Sequence, residues 1–137
     1  MGAKINKSNE QWRKKLTQEE FYVLREKGTE QPFTGKYVNH KKKGIYLCAG
    51  CGNELFSSNT KFNSGTGWPS FWAAIAKDSV KIKPDDSLGI QGTEVLCRRC
   101  NGHLGHLFND GPPPTSKRFC INSSALHFKE QESKKIE

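Results

Sequence analysis

Four of the five cysteines in this chain come as two C-x-x-C pairs, Cys48 with Cys51 and Cys97 with Cys100, while Cys120 stands alone. Thiolates separated by two residues in a tight turn can both reach one ion, and two such pairs complete a tetrahedral set. Gly50 and Gly52 flank Cys51, which suits a knuckle of this kind. The pairs lie too far apart for a compact zinc finger, so the ion is expected to clamp two distant parts of one sheet. Four sulfurs leave no open position, which makes the site structural. Zinc is the expected ion; sulfur donors also suit iron. A redox disulfide is the rival, but no βαβ pattern surrounds either pair. His103 and His106 follow Cys100, and spacing alone permits a mixed site. Such a site would leave two cysteines without a purpose.

At 137 residues the chain suits one domain, and with 34% apolar residues a metal would supplement a modest core. Thirteen glycines and six prolines point to many turns, hence to an α+β fold that is mainly β. No apolar run approaches the ~20 residues that span a bilayer. The N-terminus lacks the apolar segment of a secretory signal, and Asn6 stands where a myristoylation motif wants Ser or Thr. The net charge of +8 permits contact with nucleic acid or acidic partners. The basic residues are scattered, however, which reads as a solvated surface. An odd cysteine count, mostly in C-x-x-C pairs, fits a reducing compartment.

Ser8 to Gln11 and Thr17 to Glu20 both have capping-box spacing, with Trp12 and Leu16, then Phe21 and Leu24, on helical faces. Gly28 can end the second helix. Residues 1–35 are therefore read as N-terminal helices packed on a core, 36–129 as a β domain, and 130–137 as a disordered tail. Strands are expected at 44–47, 53–57, 80–83, 89–96 and 117–128. A short helical turn is expected after Ser70 through Ala76, and Gly111 to Pro114 reads as a stiff extended loop.

Along the strand 117–128 the period of two puts Arg118, Cys120 and Asn122 on one face, with Phe119 and Ile121 on the other. A guanidinium beside a thiol favours the reactive thiolate. Asn122 adds an amide able to orient a polar atom. A lone cysteine is otherwise often a small buried hydrophobe.

Three segments carry a family resemblance. Gly65-Thr66-Gly67-Trp68-Pro69-Ser70-Phe71, His103 through Pro112 (HLGHLFNDGP) and Arg118-Phe119-Cys120-Ile121-Asn122-Ser123 resemble, in order, the tryptophan, histidine and catalytic segments of the B-type methionine sulfoxide reductases. Both C-x-x-C pairs match the zinc-bearing members, and the resemblance spans about residues 10–130. It implies two antiparallel sheets with outer helices, and reduction of peptide-bound methionine-R-sulfoxide in oxidised proteins. Cys120 would be the nucleophile that becomes a sulfenic acid. His106 would be the acid that protonates the sulfoxide oxygen, with His103 positioning water or that oxygen. Asp110 would orient a histidine, and Arg118 would favour the thiolate and order Asp110. Asn122 would hold a histidine or the polar end of the substrate. Trp68 would offer an indole face to the substrate methyl group, with Phe71 contributing. The zinc ligands would be Cys48, Cys51, Cys97 and Cys100.

One departure matters. Many members carry a resolving cysteine where this chain has Thr66, and no cysteine precedes Cys48. The expected cycle therefore uses one cysteine and an external thiol: thioredoxin, glutaredoxin with glutathione, or a small thiol. A cytoplasmic monomer is expected, with organelle import after removal of a targeting segment left open. Two other readings compete: a zinc-stabilised module binding RNA or acidic proteins, and a peroxide sensor built on Cys120. A plain binding module does not explain Cys120 beside Arg118 and Asn122, and a sensor would react rapidly with peroxide without sulfoxide turnover.

Overall fold

The computed structural model describes residues 8–85 and 92–130. Residues 89–91 of the expected strand 89–96 and the expected tail beyond Glu130 lie outside them. Both capping boxes form. Ser8 starts helix α1 (Asn9–Lys15) and Thr17 starts α2 (Gln18–Glu26), each hydroxyl accepting from the backbone amide three residues on. Lys27, in the left-handed conformation at φ 56°, ends α2, and the Gly28 amide closes back on the Tyr22 carbonyl at 2.8 Å. Thr17→Ala is expected to cost about 1 kcal/mol and lower the thermal midpoint by about 4 °C, read by calorimetry. An unchanged midpoint would show that packing alone holds α2.

Nine strands follow among the described residues: β1 (Gly44–Cys48), β2 (Glu54–Ser57), β3 (Lys61–Phe62), β4 (Ser70–Phe71), β5 (Val80–Asp85), β6 (Gly92–Cys97), β7 (His103–Phe108), β8 (Arg118–Ile121) and β9 (Leu126–Glu130). They form two antiparallel sheets, one ordered β2-β1-β9 and the other β3-β4-β8-β7-β6-β5. The fold is the expected α+β class, mainly β, with two outer helices.

Three local expectations are corrected. The single strand 117–128 is two strands, because Asn122 leads into a 3-10 turn at Ser123–Ala125 that carries the chain from the larger sheet to the smaller. Sequence alternation already breaks phase there: Phe119 and Ile121 are odd-numbered, Leu126 and Phe128 even-numbered. The helical turn expected after Ser70 does not form: Ser70 and Phe71 pair with Cys120 and Phe119 as a short strand, and residues 72–76 follow as bends. The proline segment is a turn rather than an extended loop, with the Ser116 amide donating to the Pro112 carbonyl at 2.9 Å.

The core lies between the sheets and under the helices. Tyr46, Leu55, Phe56, Phe71, Val95, Leu104, Ile121 and Leu126 are buried there, and Phe56 stacks on Phe71 at 4.5 Å. Trp12 of α1 packs beside Gly50. Arg25 of α2 lies over the Trp12 ring at 4.9 Å and donates to the Cys100 carbonyl at 2.9 Å. The helices thus cover both cysteine turns. Among the described residues, no helix is long and apolar enough to cross a membrane.

Candidate functional site

Cys48 ends β1 and Cys97 ends β6, so the two C-x-x-C turns start from strands of different sheets. The turns share one geometry. Each runs into a residue of positive φ, Gly52 at 80° and Asn101 at 61°, types that tolerate this region. Each such residue donates its amide to the carbonyl of the first cysteine, Cys48 at 2.9 Å and Cys97 at 2.8 Å. The four sulfurs gather within 4.8 Å of one another, with Cys48 to Cys100 at 3.7 Å and Cys51 to Cys97 at 3.5 Å. A tetrahedron with metal–sulfur bonds of ~2.3 Å has edges of about 3.8 Å, so the cluster could hold such an ion. Hydrogen bonds from Cys100, Cys48 and Cys51 hold the Cys97 thiol far below its ordinary range, toward the thiolate that binds metal. An ion here joins the two sheets; it does not clamp two parts of one. His103 and His106 stand outside the cluster.

Cys120 lies on β8, the strand flanked by β4 and β7. Its backbone partners are Ser70 on one side and His106 on the other. It opens into a cavity of about 350 Å³ lined by Thr29, Thr66, Trp68, Gly105, His106, Phe108, Arg118, Cys120 and Asn122. The alternation along β8 holds as expected, with Arg118, Cys120 and Asn122 all lining the cavity and Phe119 and Ile121 buried behind. Gly105 is required by close packing, because a Cβ there would collide with the Cys120 carbonyl oxygen.

Burial pushes the Cys120 thiol up, against the lowering influence of nearby Arg118, and of Thr66 wherever its hydroxyl donates to the sulfur. Arg118 is not given over to the sulfur. It forms a two-pronged pair with Asp110, Nε to Oδ1 at 2.8 Å and a terminal nitrogen to Oδ2 at 3.1 Å, and lies over Phe108 at 4.4 Å. Its guanidinium holds the Asp110 carboxyl below the usual range. Asp110 therefore orients Arg118, where orientation of a histidine was expected.

The two histidines occupy different depths. His106 lines the cavity, whereas His103 is 2% exposed and lies behind it. His103 Nδ1 meets Glu94 Oε2 at 2.7 Å, and Glu94, itself 2% exposed, has Lys27 Nζ at 3.4 Å. Burial lowers the His103 pKa more than Glu94 raises it, so the neutral ring donates Nδ1–H to the carboxylate. A register shift opposite Val95 and Leu96 puts an extra residue into β7, and the rings of His103 and His106 meet edge-on at 5.4 Å. Three residues apart on a regular strand, they would have faced opposite ways.

Asn122 is anchored at both ends: Oδ1 accepts from the Glu30 amide at 3.0 Å and Nδ2 donates to the Leu104 carbonyl at 3.0 Å. One Nδ2 hydrogen remains for the cavity. Trp68 presents its ring to the cavity while Nε1 donates to the Glu30 carbonyl at 3.0 Å. Phe71 does not line the cavity; it is fully buried against Phe56 and Tyr46, and is core.

Sequence reasoning missed Glu30, Glu94, Thr29 and Phe108. Glu30 accepts the amides of Ser123 and Ser124 at 2.8 and 3.0 Å as well as anchoring Trp68 and Asn122. Its only signal was an acidic residue in a connector. Glu94 stood out more, as a carboxylate in an apolar strand.

The arrangement can present one thiol to a ligand held against an indole, with an imidazole and an amide in the same lining. A SelR domain model matches residues 16–130. The chain is 56% identical over 131 residues to a peptide methionine sulfoxide reductase MsrB of Methanosarcina barkeri, covering 96% of this chain and 92% of that protein. It is 56% identical to the protein of that name from Methanosarcina mazei, covering 94% and 92%. It is 51% identical to the one from Leptospira interrogans, covering 96% and 100%.

Proposed function

This chain belongs to the SelR-domain family of peptide methionine sulfoxide reductases, and from that premise we propose that it reduces peptide-bound methionine-R-sulfoxide through a sulfenic acid on Cys120. The observation that carries the reading is the single cavity shared by Cys120, Trp68, His106 and Asn122.

The sulfoxide methyl group rests on the Trp68 indole, placing its sulfur before Cys120 Sγ. The thiolate attacks that sulfur, His106 delivers a proton to the leaving oxygen, and Asn122 orients that oxygen through its remaining Nδ2 hydrogen. The hydroxide so released attacks Cys120 Sγ and breaks its new bond to the substrate sulfur, leaving Cys120 as S–OH and the substrate as methionine with the electron pair of its sulfur restored. Glu94 and His103 fix the strand that carries His106, and Asp110 fixes Arg118.

An external thiol then attacks the sulfenic sulfur, releasing water and leaving a mixed disulfide, which a second thiol resolves. The need for that thiol rests on Thr66, whose Oγ1 lies 3.9 Å from Cys120 Sγ, and on the gathering of the other four sulfurs in their own cluster. Thioredoxin, glutaredoxin with glutathione, or a small thiol would serve. We assign zinc to that cluster, where it supplies structure and no step.

The test is turnover of the separate R and S epimers of a methionine-sulfoxide peptide with dithiothreitol, using metal-loaded protein. R-only turnover, with no internal disulfide at Cys120 on non-reducing mass spectrometry, is the expected result. Turnover of S alone, or none, would sink the assignment. An accumulating Cys120 disulfide within the chain would sink the one-cysteine cycle only.

A further inference from the structure

Behind Cys120 runs an unbroken line of hydroxyl groups. Thr66 Oγ1 lies 3.9 Å from the sulfur, Ser64 Oγ lies 2.8 Å from Thr66 Oγ1, and Ser70 Oγ lies 2.7 Å from Ser64 Oγ. The line ends at the Trp68 carbonyl, 3.1 Å from Ser70 Oγ. Ser70 is fully buried on β4, and the loop Asn63–Trp68 folds over it.

Each hydroxyl has one hydrogen to give and two lone pairs to receive with. A carbonyl can only accept, so the Ser70 hydrogen goes to Trp68. Ser70 must then accept from Ser64, and Ser64, its hydrogen spent, must accept from Thr66. The Thr66 amide also donates to Ser64 Oγ at 3.3 Å, which fills its second lone pair. Thr66 has no hydrogen left for the sulfur. With every contact made, the only direction open at the end of the line is from the Cys120 S–H to Thr66 Oγ1.

We infer that Ser64 and Ser70 are positioning residues for the nucleophile: through Thr66 they hold Cys120 as the thiol in the resting enzyme, and their hydrogen bonds reverse when it ionises. On ionisation the thiol proton departs into the cavity. The three hydroxyl hydrogens each rotate toward the sulfur side and stay on their own oxygens. Thr66 then donates to the thiolate, Ser64 to Thr66 and Ser70 to Ser64, and the Trp68 carbonyl loses its Ser70 donor. The residue proposed to carry the substrate is thereby tied to the state of the nucleophile. This rests on the reading of Cys120 as the nucleophile, but its test needs no sulfoxide.

The other groups facing the sulfur are Arg118 on its own strand, with Asp110 behind it, and His106 on β7. None is altered by removing a serine hydroxyl. The direction of the effect separates this device from ordinary packing. Losing Ser70 or Ser64 frees a hydrogen further along the line, which lets Thr66 donate to sulfur and favours the thiolate. Were Thr66 already donating to Cys120, the same losses would leave the thiolate unchanged or less favoured.

The experiment is iodoacetamide alkylation of Cys120 against pH in the metal-loaded chain, with the modified peptide identified by mass spectrometry. Ser70→Ala and Ser64→Ala are expected to shift the profile toward acid and speed alkylation at neutral pH by about three- to tenfold. Thr66→Ser should keep the wild-type profile. Adding Thr66→Val to Ser64→Ala should abolish the acceleration, because no hydroxyl remains to turn. Should Ser70→Ala fail to fold, the half-buried loop residue Ser64 carries the test. An unchanged or alkaline-shifted profile in Ser64→Ala would overturn the inference, whatever the chain does with sulfoxides.

Discussion

Cys120→Ser is expected to lower R-sulfoxide turnover by at least about a thousandfold while leaving bound metal and thermal midpoint close to wild type. The size follows from the chemistry. A serine hydroxyl is a far weaker nucleophile toward sulfur, and it stays protonated at the pH at which a thiol ionises. The stability should hold because Cys120 is only half-buried and the strand around it is fixed by backbone pairing to Ser70 and His106. Wild-type turnover should rise with pH from the acid side, since burial keeps the thiol above its ordinary range. Its acid limb should therefore vanish with the sulfur. Measurable turnover in Cys120→Ser with the same pH profile would move the nucleophile elsewhere in the chain.

The second large effect concerns the four-sulfur cluster. Removing the metal with a chelator, or replacing Cys97 with serine, is expected to lower the thermal midpoint by about 10 °C or more. Cys97 is fully buried, and its knuckle meets that of Cys48 from the other sheet. Without an ion, the junction of the two sheets keeps crowded sulfurs that repel as thiolates or lose their common partner as thiols. The helices should loosen too, because Trp12 packs on Gly50 and Arg25 holds the Cys100 carbonyl. Metal analysis with paired melting curves before and after reloading reads this directly. A stripped chain that melts with the loaded one would demote the cluster to an incidental grouping.

Much of the site was legible because its signals are local. Alternation along residues 118–122 placed Arg118, Cys120 and Asn122 on one face, and that depends on nothing outside the strand. The capping boxes of Ser8 and Thr17 are three-residue signals and formed as read. What failed was long-range. Phe71 is an aromatic beside Trp68 in sequence, but pairing of Ser70 with Cys120 turns it into the core. His103 and His106 meet because β7 takes an extra residue, and a bulge leaves no compositional mark when Leu104 supplies it. Glu30 anchors residues more than ninety positions away, such as Asn122 and Ser123, which no window along the chain can register. The metal was assigned to one sheet because spacing reports separation along the chain, and says nothing of the sheet to which each strand belongs.

The strand order carries a consequence in time. β8 is the eighth strand to be made, yet it sits between β4 and β7. A nascent chain grows from its N-terminus, and long-range pairing waits for all its members. Until residues 118–121 emerge, β4 and β7 lack their common neighbour, and Thr66, His106 and Trp68 surround no sulfur. The insertion that completes the larger sheet is also the step that delivers the thiol. A half-built chain has neither the cavity nor its chemistry, so the reactive centre appears only when the fold closes around it.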